Sequence, residues 1–558
     1  MKRILALALL TAGLAACEDD PSGPDGRLPS VGDRLQLNVE FEDNCANPDL
    51  RTGRVVAVTE RAIVVADTAN PANGFSDADY REMGTTFDQV IYPLDTSVFG
   101  EPSDVDKNGR VILFFTRAIN DLTGPSSSQF VSGLVFARDL FPKRDTRNVQ
   151  GCPSSNESEL IYLLAPDPAR AGGNVNHPFH PQRLRTATPG TMAHEFQHVL
   201  NAGRRLYVLQ APQAGLNEEV WLNEGLSHVA EELAFYQQSG VTPRQNVDIP
   251  RIQSSGTILN AANMYAIANF GRLGNHYLEP EQNSPYDTDS DDLATRGAAW
   301  QFLRYAADRR NGDDRAFFNG LLNNTTTGMA NLRQALGGAD PIPWFRDWAV
   351  SVYTDDAVAM ADSRFNQPSW HYRSVLTNLR GSFPLKVRRL SDGATTQLPL
   401  RAGGAAYLRF GVTAAAGAQI RVSAGGSPLP GACTTVPALQ VGQVFEAGPA
   451  PAQLLCVQGA GEYTLIPFHG SPTSNSIISV DVTATGIVPV VGPPNPSLAP
   501  FEGALQAFGG EPSRFREDRS VEWRVRQREQ AMFGAPAAPS RSAEATPEQT
   551  YVTLVRTK

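Results

Sequence analysis

The sequence predicts an α+β core followed by a C-terminal all-β, sandwich-like domain. Apolar and polar residues alternate at strand period over residues 37–66, and the apolar spacing becomes helical over residues 191–236. After Leu385, short β-type runs recur between clusters of Gly, Pro and Ser, which is typical of a sandwich. A chain of 558 residues has room for about three or four domains.

Each predicted element depends on a local pattern. The runs at residues 54–58 and 62–66 predict a hairpin, and residues 37–41 predict a strand before it. The apolar runs at residues 111–115 and 160–165 predict strands that are buried on both faces. Further helices are expected over residues 298–308, 343–353 and 515–533.

Composition changes along the chain suggest six segments. We expect a signal peptide over residues 1–16, a tether over 17–32, an N-terminal β-rich subdomain over 33–190, a helical subdomain over 191–380, a sandwich-like domain over 381–488, and a linker with a partly disordered tail over 489–558.

The overall composition is that of a soluble globular protein. Hydrophobic residues make up 41% and charged residues 19% of the chain. The net charge of −10 argues against a nucleic-acid partner, because phosphate backbones attract basic surfaces.

The N-terminus has the features of an export signal. Lys2 and Arg3 precede an apolar run over residues 4–14, which is too short to span a bilayer. Residues 14–17 read Leu-Ala-Ala-Cys and resemble a bacterial lipobox, in which the cysteine is diacylated. The alternative is an ordinary signal peptide that is cleaved nearby. We expect an exported, extracytoplasmic protein of the bacterial cell envelope, attached to the membrane by a lipid on Cys17.

The chain has five cysteines, an odd number for an exported protein. If Cys17 carries a lipid, four cysteines remain, and an oxidising compartment favours disulfides between them. Four cysteines allow three pairings. Distance along the sequence favours Cys45 with Cys152 and Cys433 with Cys456.

The strongest chemical signal is His-Glu-Phe-Gln-His at residues 194–198. On a helix, His194 and His198 stand at i and i+4 on one face, at the spacing that two ligands of a tetrahedral zinc ion require. Glu195 between them can take a proton from a metal-bound water and later give one to a leaving amine.

A catalytic zinc site usually takes a third protein ligand and keeps one position for water. Glu224 and His228, on the next helical segment, are the two candidates, and Glu224 is favoured. Glu231 and Glu232 are either a solvated carboxylate pair or the source of an acceptor for a ligand histidine.

These two segments resemble the gluzincin clan of zinc metallopeptidases and, within it, the hyicolysin family, which has a His-Glu-Phe/Tyr-Gln-His core followed by Trp-Leu-Asn-Glu-Gly-Leu-Ser. The resemblance covers roughly residues 80–360 and includes the segments at 87–93, 104–109, 297–305 and 344–348. It implies a zincin-like metallopeptidase core in which His194, His198 and Glu224 hold Zn²⁺ and Glu195 is the catalytic base and acid.

The chain departs from the thermolysin pattern at two points. His228 stands where an orienting Asp is usual, and the 26-residue step from His198 to Glu224 is longer. Gluzincins also use a Tyr or His distant in sequence to stabilise the oxyanion. The candidates here are Tyr265, His276 and Tyr277.

Two other motifs are assigned no chemical role. Residues 104–109 resemble the first half of a calcium loop, but Phe115 occupies the position where an EF-hand needs a Glu, so a turn before the next strand is expected. His177 and His180 are expected to be exposed loop histidines.

The sequence thus predicts a zinc endopeptidase that hydrolyses extracytoplasmic proteins or peptides through a metal-activated water. We expect residues 160–165 to form the edge strand that pairs with an extended substrate. The alternatives are a catalytically inactive zincin-like lipoprotein that acts as a binding module, and an exopeptidase.

The mature protein is expected to contain no free thiol, because one cysteine carries a lipid and four form disulfides. The unreduced, denatured chain should therefore not react with a thiol reagent. Labelling at one or more cysteines would contradict this prediction.

Overall fold

A computed structural model of the full chain describes residues 26–41, 45–125, 130–146, 149, 151–170, 179–212, 216–413, 417–490 and 550–558. The predicted signal peptide, Cys17, most of the tether, His177 and the predicted helix over 515–533 lie outside the described residues. Within the described part of the chain, no helix is long and apolar enough to cross a membrane.

The first sheet has six strands in the order β1-β2-β3-β4-β6-β5. The predicted strands at 111–115 and 160–165 are confirmed as β4 and β6; they run parallel to each other and are buried on both faces. The strands are β1 (Arg34–Asn38), β2 (Leu50–Val58), β3 (Ala62–Asp67), β4 (Val111–Thr116), β5 (Gly133–Leu134) and β6 (Leu160–Leu164).

The expectation that residues 160–165 form the edge strand is wrong. β6 lies between β4 and β5, and the outer position belongs to β5, which pairs antiparallel with β6 through Gly133 opposite Leu163 and Leu134 opposite Tyr162. A strand of two residues is too short to leave an alternating pattern in the sequence, so the pattern could not reveal it.

Thirteen α-helices are described, and all except α3 contribute to a large apolar core that they share with one face of the first sheet; α3 packs in a separate cluster. They are α1 (Asp77–Thr86), α2 (Tyr92–Phe99), α3 (Arg117–Asp121), α4 (Pro181–Gly203), α5 (Val220–Ser239), α6 (Ile249–Gln253), α7 (Gly256–Ala261), α8 (Ile267–Leu278), α9 (Leu293–Arg310), α10 (Asp314–Leu322), α11 (Gly328–Ala335), α12 (Pro341–Thr354) and α13 (Tyr372–Arg380).

The helix that carries the His-Glu-Phe-Gln-His motif is longer than the sequence pattern predicts. α4 begins at Pro181, ten residues before the predicted start at Thr191. The α-helical part ends at Gly203, but the chain does not leave the helical conformation there: φ at Gly203 is −62°, and a π-helical turn follows directly over Arg204–Val208. A glycine ends a helix when it adopts a left-handed conformation, and Gly203 does not.

The C-terminal region forms two packed sheets with a core of their own, as the all-β texture predicts. One sheet has the order β11-β13-β10-β15-β8, and the other has the order β12-β17-β14-β9-β16 with β7 also paired to β9. The strands are β7 (Val387–Arg389), β8 (Thr395–Arg401), β9 (Tyr407–Val412), β10 (Ala418–Ala424), β11 (Thr434–Val436), β12 (Val444–Ala450), β13 (Ala452–Val457), β14 (Gly461–His469), β15 (Ile477–Thr485), β16 (Ile487–Val488) and β17 (Thr550–Arg556).

The last strand, β17, corrects the prediction of a linker and tail over residues 489–558. It lies between β12 and β14 and pairs antiparallel with both, so the C-terminus completes the sandwich. The chain therefore returns to the sheet after a stretch rich in Pro and Ala, and local composition does not indicate that return.

Both expected disulfides are present. One joins Cys45 to Cys152 and the other joins Cys433 to Cys456. The first fixes the segment after β1 to the loop before β6, and the second connects the start of β11 to β13 within one sheet.

Replacement of Leu554 in β17 by Ala should destabilise the protein by about 2–5 kcal/mol, because this side chain is fully buried in the core of the sandwich. Urea unfolding measures the effect. The control is Leu429→Ala at a partly exposed loop position, which should change the free energy of unfolding by about 0.5 kcal/mol or less. Equal effects of the two substitutions would show that β17 is not part of the sandwich core.

Candidate metal centre

α4 and α5 pack against each other because both present apolar stripes to the common core. The apolar stripe of α5 includes Leu222, Leu226 and Val229, which are fully buried. Gly225 lets α5 approach α9 closely, since a Cβ at this position would lie 2.8 Å from Leu303 Cδ1. The residue before it, Glu224, is thereby held inside the helical layer.

This packing brings His194, His198 and Glu224 together in a buried cluster. Nε2 of His194 lies 3.2 Å from Nε2 of His198. Oε2 of Glu224 lies 3.4 Å from the first nitrogen, and Oε1 lies 3.5 Å from the second. Bonds of about 2.0–2.1 Å around a tetrahedral ion place neighbouring donor atoms about 3.3–3.4 Å apart. One oxygen of Glu224 thus faces each histidine, and each of these distances is close to the spacing of neighbouring ligands around a tetrahedral ion.

A chain of hydrogen bonds fixes the tautomer of His198. Nε of Arg205 donates to Oδ1 of Asn201, so the amide nitrogen of Asn201 donates to Oδ1 of Asn223. Because Oδ1 of Asn223 can only accept, Nδ1 of His198, 3.1 Å away, carries a hydrogen. A neutral His198 therefore directs the lone pair of Nε2 into the cluster.

Glu231 fixes the tautomer of His194 in the same way. Oε1 of Glu231 lies 2.8 Å from Nδ1 of His194, so a neutral His194 would likewise present the lone pair of Nε2 to the cluster. Burial lowers the pKa of His194, but hydrogen bonds to Glu224 and Glu231 outweigh burial and raise it to about 9. Two ring nitrogens and a carboxylate thus converge on one point. A cation at this point, either a proton or a metal ion, would stabilise the arrangement.

The structure separates His228 from the point where these donors meet. Nδ1 of His228 lies 2.8 Å from the same Oε1 of Glu231 that contacts Nδ1 of His194, so His228 lies on the opposite side of the His194 ring. Burial, together with the positive charge of Arg272, lowers the pKa of His228 to about 3. His228 is therefore neutral and helps to hold Glu231, while Glu224 is the residue that meets both His194 and His198.

Glu231 and Glu232 are both buried, so the interpretation as a solvated pair is wrong. Burial raises the pKa of Glu231, but the Arg272 guanidinium and His228 outweigh it and hold this pKa well below its usual range. Glu232 points elsewhere: Nε1 of Trp370 donates to its Oε1 at 2.6 Å, and burial raises its pKa to about 7.

Glu195 lies between the cluster and the edge strand of the first sheet. A Cβ on Gly133 of β5 would lie 3.2 Å from Cγ of Glu195 and 2.6 Å from Cγ2 of Thr191. β5 therefore runs directly over the turn of α4 that carries Glu195, and only a glycine fits at the crossing.

Two buried arginines face the carboxylates of the site, and the sequence analysis missed both. Nη1 of Arg272 lies 3.5 Å from Oε2 of Glu231. Nη1 of Arg296 forms an ion pair with Oε2 of Glu224, and the same guanidinium is held by Asp291. Only one feature of the sequence points to Arg296: it directly precedes the segment at 297–305, which is part of the resemblance.

The three candidates for the oxyanion donor lie on or beside α8. The hydroxyl of Tyr277 accepts from Nε2 of Gln301 at 2.7 Å, and the ring of His276 lies 5.5 Å from that of Trp348, so both contact other helices. Tyr265 lies in a π-helical turn over Ala262–Ala266, which precedes α8. Their role in catalysis stays a prediction.

The segment at 104–109 forms the expected turn before β4. The backbone N–H of Gly109 donates to Oδ1 of Asp104, and that of Asn108 donates to Oδ1 of Asp106. Glu159 approaches this turn and accepts from the hydroxyl of Ser103. His180, which immediately precedes α4, is exposed, as predicted.

Comparison with known proteins agrees with the geometry. No family model matches the chain. The chain is similar to the neutral metalloprotease ShpI of Staphylococcus hyicus, with 28% identity over 161 residues, which is 29% of this chain and 32% of that protein. The alignment thus spans about a third of the length of this relative. Together with the cluster of two histidines and a glutamate, the similarity supports a metal-dependent protease.

Replacement of Glu231 by Gln should weaken metal binding about 10- to 100-fold, because His194 then loses a charged acceptor that fixes its ring. The matched control is Glu232→Gln, which changes an adjacent, equally buried carboxylate that contacts Trp370 instead. Competition with a chelator of known affinity measures both. Equal losses in the two variants, or no loss in the first, would show that Glu231 does not support the metal centre.

Proposed function

We propose that this chain is a zinc-dependent endopeptidase, similar to the hyicolysin-like gluzincins, with a zincin-like core that carries the β-sandwich. The observation that carries the proposal is the convergence of His194, His198 and Glu224 at tetrahedral spacing, with Glu195 on the same helix. Two imidazole nitrogens and one carboxylate oxygen form a donor set that suits zinc. Three protein ligands leave a fourth position for water, as in catalytic sites.

Each residue in and around the cluster would have a distinct role. His194, His198 and Glu224 would hold the ion, Glu231 would orient His194, and Asn223 would orient His198. Bound zinc would act as a Lewis acid on the scissile carbonyl and would lower the pKa of its water. Glu195 would act as the base that accepts a proton from the attacking water and as the acid that gives a proton to the leaving nitrogen.

The substrate would add to the outer edge of β5. Main-chain pairing with an edge strand binds an extended peptide whatever its sequence, which suits an enzyme that cleaves unfolded protein segments. Gly133 brings this strand within contact distance of Glu195, so a peptide paired to β5 would lie beside the catalytic carboxylate.

The proposed location is the outer side of a bacterial membrane. The two disulfides are consistent with an oxidising compartment outside the cytoplasm. The sequence around Cys17 supports export and a lipid anchor there, so the partners would be the membrane and a protein or peptide substrate.

Replacement of Glu195 by Gln should leave zinc bound at near one equivalent and lower the rate of casein digestion by about 10²- to 10⁴-fold, because the amide cannot accept the proton. Zinc content and product masses, both measured by mass spectrometry, provide the two readouts. In the wild type, a chelator should stop cleavage, zinc should restore it, and the products should include internal fragments.

The control is Glu82→Gln on the exposed face of α1, which should digest casein at the wild-type rate. Digestion by the Glu195→Gln variant at the wild-type rate would contradict the mechanism. A wild-type protein that binds zinc without cleaving casein would favour the inactive binding module instead.

A further inference from the structure

A buried arginine connects the third ligand to a carboxylate outside the cluster. Asp291 accepts two hydrogen bonds from Arg296, from Nε at 2.7 Å and from Nη2 at 2.6 Å. The remaining nitrogen, Nη1, forms the ion pair with Oε2 of Glu224. All three side chains are almost fully excluded from solvent. The guanidinium thus pairs with two carboxylates. Asp291 accepts two hydrogen bonds from it, and Glu224 forms one ion-pair contact with it.

The backbone on either side of Arg296 has little freedom. Arg296 lies in the first turn of α9, where the side chain of Asp292 caps the helix through the N–H of Thr295. The next residue is Gly297, where a Cβ would lie 2.3 Å from the backbone nitrogen of Leu273 in α8. α9 therefore lies in direct contact with α8 at the point from which Arg296 projects.

Asp291 itself belongs to a connection that is fixed to the β-sandwich. The hydroxyl of Tyr286 donates to the carbonyl of Ser471 at 2.7 Å. The hydroxyls of Thr288 and Ser474 lie 2.6 Å apart, and Asp287 forms an ion pair with Arg401 at 2.7 Å. The sandwich thus holds the segment that ends at Asp291.

We propose that Arg296, clamped by Asp291, is the positioning residue for the third metal ligand, Glu224. The proposal depends on the proposed function, since it requires that Glu224 binds the metal. Both oxygens of Glu224 face the cluster, but Arg296 pairs with Oε2, the oxygen next to His194, and leaves Oε1, the oxygen next to His198, for the ion. Glu224 then contributes one oxygen and not two, so the protein supplies three donor atoms and the fourth position stays available for water.

The positive charge of Arg296 also helps to hold Glu224 in position. Removal of a carboxylate from water is strongly unfavourable unless a partner compensates for the lost hydration. Because Asp291 neutralises one side of the guanidinium, the ion pair with Glu224 holds this carboxylate in place without adding a full positive charge beside the metal. A lysine cannot do this, since an ammonium lacks the planar fork that binds both carboxylates.

The test uses the full-length protein with Arg296→Lys and, as a second variant that keeps the arginine, Asp291→Asn. Zinc affinity is measured by competition with a chelator, and the visible absorption of the Co²⁺-loaded protein reports the coordination number. We expect each variant to raise the zinc dissociation constant about tenfold or more. The cobalt bands should weaken, as expected when Glu224 binds through both oxygens.

The matched control is Arg304→Lys on the same helix. Arg304 is as buried as Arg296 and also pairs with carboxylates, but its partners are Glu232, Asp308 and Asp314, which lie outside the metal cluster. This variant should match the wild type in zinc affinity and cobalt spectrum. The thermal unfolding of each metal-free variant separates a folding defect from a site defect, and Asp291→Asn carries the test if Arg296→Lys does not fold.

Wild-type affinity and spectrum in both site variants would overturn the inference, as would an equal loss in Arg304→Lys. Either result leaves the proposed function intact, provided that the wild type binds zinc. A wild-type protein without zinc affinity would instead overturn the proposed function.

Discussion

The site depends on one constraint: two imidazole rings and a carboxylate are held with their donor atoms 3.2–3.5 Å apart inside the protein. Such an arrangement is unfavourable unless a cation occupies the point where they meet. The contact between α4 and α5 creates this arrangement. The hydrogen bonds that Nδ1 of each ring donates to Asn223 or Glu231 maintain it, because they direct the hydrogens of both rings away from the cluster.

The buried charges around the cluster are organised to meet this constraint. The two carboxylates that contact His194 each have a buried arginine beside them, Arg296 for Glu224 and Arg272 for Glu231. Both arginines come from the closely packed pair of helices α8 and α9. The connection between these helices is in turn docked on the β-sandwich through Tyr286, Asp287 and Thr288. The sandwich is therefore part of the scaffold of the site as well as a domain with its own core.

The sequence predicts the parts of this structure that leave a local pattern. His194 and His198 lie four residues apart on one helix, and β4 and β6 are continuous apolar runs, so short windows identify them. What the sequence does not reveal depends on contacts between distant segments. The edge strand at Gly133 has two residues, the last strand follows a long stretch without a β pattern, and Arg296 acquires its role only when α9 packs beside Glu224. Buried ion pairs of this kind have no periodicity from which they could be predicted.

The most direct test of this account is the location of zinc in crystals of the full-length protein, measured by anomalous diffraction on the two sides of the zinc absorption edge. The account predicts one strong peak, about 2 Å from Nε2 of His194, Nε2 of His198 and one oxygen of Glu224. A peak bound by His228 and Glu231, or a peak only at the turn formed by Asp104 and Asp106, would contradict it.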